Sequence, residues 1–226
     1  MNRRIARPLR SSSLLPGVLA SGLLLAGCAS GPPPGPFELW PLGPDGEPRP
    51  AEAPISWQQQ GVRLELQPIA AAERGAWLDE NADYEGTVVH FPAGSSLVGF
   101  SVTLAATGDL PVRLETRSLR LLADGKGGGT APLDYTRAYE LFRPDRQGPE
   151  AAMQLERFMK GIFDGAVDVP AGSTRRGMLV FPDPSAEADE LVLVVPFLQV
   201  GAETHRTRLG FAKVYGSGES AAAGES

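Results

Sequence analysis

The sequence has few of the residues from which disulfides and metal sites are built. Its 226 residues include one cysteine, Cys28, and two histidines, His90 and His205. One cysteine cannot form a disulfide within the chain, so the folded part has to be stabilised by its apolar core alone. Neither histidine has a third ligand at the spacing of a zinc site, and both are interpreted as structural residues. The sequence therefore predicts no metal site and no cofactor.

Motifs of catalysis and nucleotide binding are also missing. Residues 94–96 lack the Gly-x-Ser-x-Gly pattern of a hydrolase nucleophile, and the stretch 125–130 lacks the Gly-Lys-Ser/Thr of a P-loop. This stretch is interpreted as a flexible hairpin loop. Four residues have the spacing found at the start of a calcium-binding loop: Asp79, Asn81, Asp83 and Glu85. Tyr84 and His90 replace the glycine and glutamate that such a loop needs, so the sequence nominates no catalytic or calcium site.

The N-terminal region has the pattern of a secretory signal. Four arginines lie among its first ten residues, and the apolar stretch 14–26 is too short to span a bilayer. The residues Leu25, Ala26, Gly27 and Cys28 resemble the lipobox of bacterial lipoproteins. The resemblance implies removal of a signal peptide, residues 1–27, a thioether-linked lipid on Cys28, and an acyl chain such as palmitate on its new amine. The alternative is an ordinary secretory peptide that leaves an unpaired cysteine.

Lipidation would attach the protein to a membrane through Cys28, because several acyl chains make attachment effectively permanent. No later segment approaches the roughly 18 apolar residues of a transmembrane helix. Ala29 stands where aspartate would signal inner-membrane retention, so the resemblance implies the outer membrane, facing the periplasm. Removal of residues 1–27 takes the net charge from −6 to −10, with 17 basic against 27 acidic residues. This acidity disfavours nucleic acid and anionic lipid as partners.

Residues 28–54 are rich in proline and glycine, a composition that disfavours helix and sheet alike. We interpret them as a tether, which would reach about 80 Å if it were fully polyproline-like. An apolar island lies within it, at Phe37, Leu39, Trp40 and Leu42. The island is either a first strand that docks on the chain's own domain or a short peptide that inserts into a partner. Residues 217–226 are predicted to form a disordered tail.

Residues 55–216 alternate between apolar and polar side chains, as half-buried antiparallel strands do. The clearest alternation is found at Val62, Leu64 and Leu66 and at Val98, Phe100, Val102 and Leu104. Further apolar runs, separated by turn residues, are found at 112–114, 119–122, 177–181, 191–195, 197–200 and 209–215. So many short strands predict a β-sandwich.

One connection, at about residues 134–165, breaks the strand pattern and is predicted to be helical. Apolar residues recur there at helical spacing, at Leu155, Phe158, Met159, Ile162 and Phe163. Pro149 suits the first turn of this helix, and Gly165 is placed to stop it. A second helix is predicted from an N-cap at Asp134 to the break at Pro144. The apolar stripe is expected to pack on the chain's own sheet, the alternative being a membrane or partner.

Three segments, in this order, resemble secreted bacterial immunoglobulin-like domains. They are residues 98–112, ending in Gly-Asp-Leu-Pro-Val, residues 119–125, ending in Ala-Asp-Gly, and residues 169–181, beginning with Val-Pro-Ala-Gly. The resemblance implies a mainly β, immunoglobulin-like antiparallel β-sandwich with a helical insertion. Gly108 and Gly172 would make turns, and Leu179 and Phe181 would face the core. Thr107, where the family usually has asparagine, and the long insertion depart from the family, whose members mostly lack a known activity.

A polar aromatic cluster on the helical connection is the candidate binding site. Its members belong to types that are enriched where proteins bind one another: Tyr135, Arg137, Tyr139 and Arg143. The alternative is that both tyrosines bury their rings in the fold and leave only their hydroxyl groups in water.

The sequence thus predicts a lipid-anchored cell-envelope protein whose head is a non-enzymatic module for protein binding or assembly, with another envelope protein as partner. The alternative class is a small-ligand, carbohydrate-binding or hydrolytic domain with a cleft under the helical insertion. It is favoured if Arg137, Tyr139 and His90 or His205 meet in one pocket. A third alternative is a structural spacer, which predicts neither a pocket nor an exposed apolar patch.

Overall fold

The structure of the chain, a computed structural model, describes residues 37–81, 88–92 and 95–215. These residues form eleven strands and four α-helices, and the strands make two antiparallel sheets that pack face to face. The predicted mainly β antiparallel sandwich with a helical insertion is confirmed. Cys28 and the predicted tail 217–226 lie outside the described residues. Within the described ranges, no helix is long and apolar enough to cross a membrane.

The larger sheet has seven strands: β1 Phe37–Pro41, β5 Val112–Glu115, β6 Arg120–Ala123, β7 Lys126–Thr130, β8 Ala166–Val169, β10 Glu190–Val200 and β11 Glu203–Tyr215. The order across this sheet is β1-β11-β10-β5-β8. Strand β6 pairs with a different part of β10, and β7 extends the sheet from β6. Strand β1 therefore lies at one edge, beside the C-terminal strand.

The smaller sheet has the order β2-β3-β4-β9, with β2 Ile55–Gln59, β3 Val62–Ile69, β4 Leu97–Ala106 and β9 Thr174–Pro182. The core between the sheets holds Phe100, Phe181 and Phe211, all fully buried. The ring of Phe100 lies 4.8 Å from that of Phe211 and 6.0 Å from that of Phe181. Burying each of these side chains contributes about 1.5–3 kcal/mol to stability.

A helical layer packs on the outer face of the smaller sheet. Its helices are α1 Arg74–Asn81, α2 Tyr135–Phe142, α3 Pro144–Gln147 and α4 Pro149–Gly161. Phe142 and Phe158 of this layer form a second core with Met178 and Val180 of β9. Strand β9 is therefore buried on both faces, since the intervening Leu179 and Phe181 belong to the core between the sheets, as predicted. The expectation that the apolar stripe of α4 packs on the chain's own sheet is confirmed.

Helix α4 ends four residues before the predicted stop at Gly165. Its C-cap, Ile162, is extended and forms a parallel bridge with Met178 of β9. The N–H of Phe163 then donates to the Met178 carbonyl at 2.9 Å, and the Phe163 ring enters the core between the sheets. Pairing with the edge of β9 ends this helix before the glycine is reached.

Two predicted strand regions also differ from the structure. The runs 191–195 and 197–200 form one strand, β10, whose register with β11 shifts between Val195 and Leu198. The stretch interpreted as a flexible hairpin loop contains β7, in which Lys126 pairs with Ala123 and Thr130 with Leu121. In β10 a bulge lets one strand continue where the sequence pattern suggests two. In β7 the pairing with β6 makes a strand of a segment whose own sequence shows no strand pattern.

The apolar island forms the first strand of the described chain. Phe37 pairs with Tyr215 and Pro41 with Phe211, and Leu39 is buried in the core between the sheets. This arrangement is the own-domain alternative for the island. The head therefore includes Phe37–Pro41, which lies inside the segment that we interpreted as a tether.

Candidate binding groove

The first wall of the candidate site is helix α2. The side chain of Asp134 caps its N-terminus by accepting a hydrogen bond from the Arg137 backbone N–H at 3.0 Å, as the sequence predicts. Ala138 and Phe142 are buried against the helical core, so the opposite face of the helix is turned to solvent. Arg143 ends the helix in the left-handed conformation.

The solvent face of α2 carries Tyr135 and Tyr139, one helical turn apart. Their side chains are 55% and 38% exposed, and their ring centroids are 6.3 Å apart at an angle of 40°. Both tyrosines thus leave more than a third of their surface in water, although aromatic surface is usually buried. The alternative in which both tyrosines bury their rings does not hold.

The second wall is helix α4. Ala152, Leu155 and Met159 face the two tyrosines across a groove with a volume of about 670 Å³. We call this the helix groove. The described residues that line it are Tyr135, Tyr139, Asp145, Ala152, Leu155, Glu156, Met159 and Lys160.

Charged side chains lie on the rim of the helix groove. Lys160 Nζ is 3.0 Å from Glu156 Oε1, an ion pair between residues one turn apart on α4. Asp145 of the short helix α3 adds a second carboxylate, so the formal charge of the lining is −1. The groove therefore combines an aromatic and apolar interior with a slightly acidic rim.

The structure brings together only half of the predicted site. The Arg137 guanidinium donates to the Ala131 carbonyl at 3.0 Å, and Arg143 Nε donates to the Glu140 carbonyl at 3.2 Å. Neither arginine lines the helix groove. Both arginine side chains bond to backbone carbonyls around α2, so only the two tyrosines of the predicted set line the helix groove.

The sequence did not predict that residues of α4 form one wall of the groove. Leu155 and Met159 were assigned to the buried stripe, and Leu155 is indeed 6% exposed. Met159 is only half-buried and packs at the margin of the helical core. A residue at the margin of an apolar stripe can line a groove. The stripe alone does not show which of its residues the neighbouring helices leave exposed.

The two histidines do not join the helix groove. The His205 ring lies 6.0 Å from Trp57 and its Nε2 is 3.8 Å from Glu203 Oε2. The backbone N–H of His90 donates to Gln154 Oε1 at 2.9 Å. Among the described residues, no group of three His, Cys, Asp or Glu side chains is arranged to hold a metal ion. The condition that would have favoured a small-ligand, carbohydrate-binding or hydrolytic domain is therefore not met in this groove.

Comparisons with known proteins add little to this geometry. No protein-family model and no curated protein matches the chain. Among solved structures the chain is similar to the yjhA protein from Bacillus subtilis, at 11% sequence identity and a TM-score of 0.33. The similarity covers 63% of this chain and 77% of that one. A similarity of this extent carries no argument about function, which depends on the chain's own residues.

Proposed function

We propose that the chain is a lipid-anchored protein of the bacterial cell envelope whose β-sandwich head binds another envelope protein through the helix groove. The exposed pair Tyr135 and Tyr139, facing Leu155 and Met159, is the observation that carries this proposal. Tyrosine and methionine are enriched in protein interfaces, and tyrosine is among the residues that carry most of the binding energy there. A structural spacer has no need of such a groove.

The groove suits a segment of a folded partner better than an enclosed small molecule. Tyr135 lines the groove and yet leaves more than half of its surface in water, at 55% exposure. A partner segment that places one apolar side chain between the tyrosines and Met159 would cover this surface. A basic residue beside that anchor would complement the acidic rim and the net negative charge of the mature chain, −10 after removal of residues 1–27.

The distance to the membrane limits where this partner can be. Because β1 begins at Phe37, only the chain from Cys28 to Phe37 can act as a free tether. Nine residues of extended chain span at most about 30 Å. This reach is well below the 80 Å that follows from a tether ending at Pro54, so the proposed partner lies at the membrane surface.

Affinity purification of the full-length protein from its native envelope tests the proposal. The baits are the wild type, the double variant Tyr135→Ser and Tyr139→Ser, and the control Phe197→Ser. Phe197 is a matched control because its ring is 48% exposed but lies on β10, away from the helix groove. A stoichiometric partner that is lost only with the groove variant is expected.

The purified partner then has to bind the purified wild-type protein at least tenfold more tightly than the groove variant. Retention of the same partner by the groove variant, with unchanged affinity, would contradict the proposal. Thermal unfolding of each bait confirms that the serine substitutions, which are at exposed positions, leave the head folded.

The size of the helix groove supports a second candidate, a small ligand such as an oligosaccharide. Ligand pockets have volumes of about 300–1,000 Å³, and the groove is within this range. Sugar rings would stack on Tyr135 and Tyr139. Titration of the protein with a neutral oligosaccharide, followed by tyrosine fluorescence, distinguishes this candidate, since saturation would occur without any protein partner.

A further inference from the structure

A second, smaller cleft lies between β1, the end of β3 and the start of α1. It is bounded by Phe37 and Leu39 of β1, Ile69 at the end of β3, and Arg74 at the start of α1. Its volume is about 150 Å³. None of these residues belongs to the helix groove, so whatever this cleft does is independent of the function proposed above.

Among the described residues that line this cleft, Arg74 is the only basic one. Its Nε donates to the Ile69 carbonyl at 3.3 Å. Within the described part of the chain, its terminal nitrogens form no hydrogen bond and no ion pair. The guanidinium has five N–H donors, so most of them are available to a ligand.

The fold holds this guanidinium partly out of water. A side chain at Gly99 of β4 would place its Cβ 2.9 Å from Arg74 Nε, so the glycine makes room for the arginine on the sheet. Burial lowers the pKa of Arg74 to about 10, which still leaves it protonated at neutral pH. A desolvated cation without a counter-ion costs free energy, and such arrangements cluster where ligands bind.

Carboxylates line the same cleft at a distance from the guanidinium. Glu38 of β1, Glu52 of the following loop and Glu73 before α1 belong to the lining, and none forms an ion pair with Arg74. One cation and three carboxylates give the cleft a formal charge of −2. A simple anion would be repelled by this charge, whereas a ligand with both a carboxylate and an ammonium group would be attracted at both ends.

We propose that this cleft binds a small α-amino acid as a zwitterion, with its carboxylate on Arg74 and its ammonium group towards the glutamates. A planar guanidinium can bind a carboxylate through two parallel hydrogen bonds. The size agrees, because a cavity of about 150 Å³ accommodates benzene. Alanine has as many non-hydrogen atoms as benzene.

Two-dimensional NMR of the full chain tests this proposal through the arginine Nε–Hε signals and the Gly99 amide. Titration with L-alanine is expected to shift the Arg74 and Gly99 signals saturably. Acetate and ethylamine, which each carry one half of the zwitterion, are expected to bind at least tenfold more weakly. Arg74→Gln should abolish the alanine response, and the control Arg63→Gln, an exposed arginine of β3, should keep it.

Three outcomes would overturn the proposal. They are the absence of a saturable shift with alanine, an equal affinity for acetate, and an unchanged response in Arg74→Gln. A melting curve for Arg74→Gln shows whether the variant is folded, and the acetate comparison tests the proposal on the wild type alone. Because Tyr135 and Tyr139 are untouched, failure here leaves the helix groove open to its own test.

Discussion

At the scale of single residues, the buried Lys213 near the end of β11 forms an ion pair with Asp183, in the segment that follows β9. The Lys213 ammonium is fully buried and lies 2.9 and 3.0 Å from the two carboxylate oxygens of Asp183 and 2.6 Å from the Ser185 carbonyl. The Phe37 ring covers it, with its centroid 4.4 Å from Nζ. All three ammonium donors therefore have an acceptor, which is the condition under which a buried ion pair is tolerated.

We expect Lys213→Met to lower the free energy of unfolding by about 3–5 kcal/mol, because it leaves the buried Asp183 carboxylate without a cation. The double variant Lys213→Met with Asp183→Asn removes both charges and should recover part of this loss. The asparagine also keeps an acceptor for the Ser185 N–H, which donates to Asp183 at 3.2 Å. Denaturant unfolding measures both, and equal losses in the single and double variants would show that the unpaired charge is not the cause.

The core has no room for a side chain at Gly177. A Cβ at this position would lie 2.3 Å from the Phe163 ring, which occupies the space inside the sandwich. We expect Gly177→Ala to destabilise the head by about 1–3 kcal/mol through overpacking. Gly128→Ala is the control, because nothing lies within 4 Å of its Cβ position.

The control should change stability by less than about 0.5 kcal/mol. Thermal unfolding of the two variants beside the wild type measures the difference. If Gly177→Ala is as stable as Gly128→Ala, the Phe163 ring does not fill the space over β9 in the way described.

At the scale of elements, the Asp134 cap fixes where α2 begins and hence where the tyrosines stand. We expect Asp134→Ala to cost about 0.5–2 kcal/mol, since the Arg137 N–H loses its acceptor. Asp134→Asn keeps an oxygen at this position and should cost less. Hydrogen exchange of the first turn of α2 is the measurement, and unchanged protection in Asp134→Ala would contradict the capping role.

The elements also show what local sequence can and cannot predict. The alternation in β3 and β4 and the apolar stripe of α4 are strong periodic signals, and both gave the right element and the right core side chains. The expectation that β4 is half-buried is wrong, because this strand is buried on both faces. Helix α1 was missed because only Gly75 and Leu78 are buried in it. Gly75 is there for a tertiary reason: a Cβ would lie 2.3 Å from the Val89 carbonyl oxygen, so the helix rests on that backbone.

The candidate site was half predictable for the same reason. Tyr135 and Tyr139 are recognisable from their residue type and spacing on α2. The orientation of Arg137 and Arg143 depends on nearby backbone carbonyls, and the α4 wall depends on how α2, α3 and α4 pack together. The hydrophobic periodicity of a single helix does not predict how that helix packs against its neighbours.

At the scale of the whole molecule, both ends of the described chain lie together, because Phe37 pairs with Tyr215 in the larger sheet. The proposed lipid on Cys28 would therefore hold the head by the edge strand β1. We expect the protein to incorporate a palmitate analogue in its native cells and to fractionate with membranes. Cys28→Ser should abolish both, whereas the neighbouring control Ser30→Ala should change neither.

The melting temperature of the head shows whether Cys28 only anchors the protein or also stabilises its fold. Cys28 precedes β1, and the described core from Phe37 to Tyr215 is built without it. Cys28→Ser should therefore release a head whose melting temperature equals that of the wild type, while partner binding at the membrane is lost. A mature, soluble wild-type protein with an unmodified cysteine would instead indicate an ordinary secretory signal. In that case the reach of about 30 Å from the lipid would no longer constrain the partner of the helix groove.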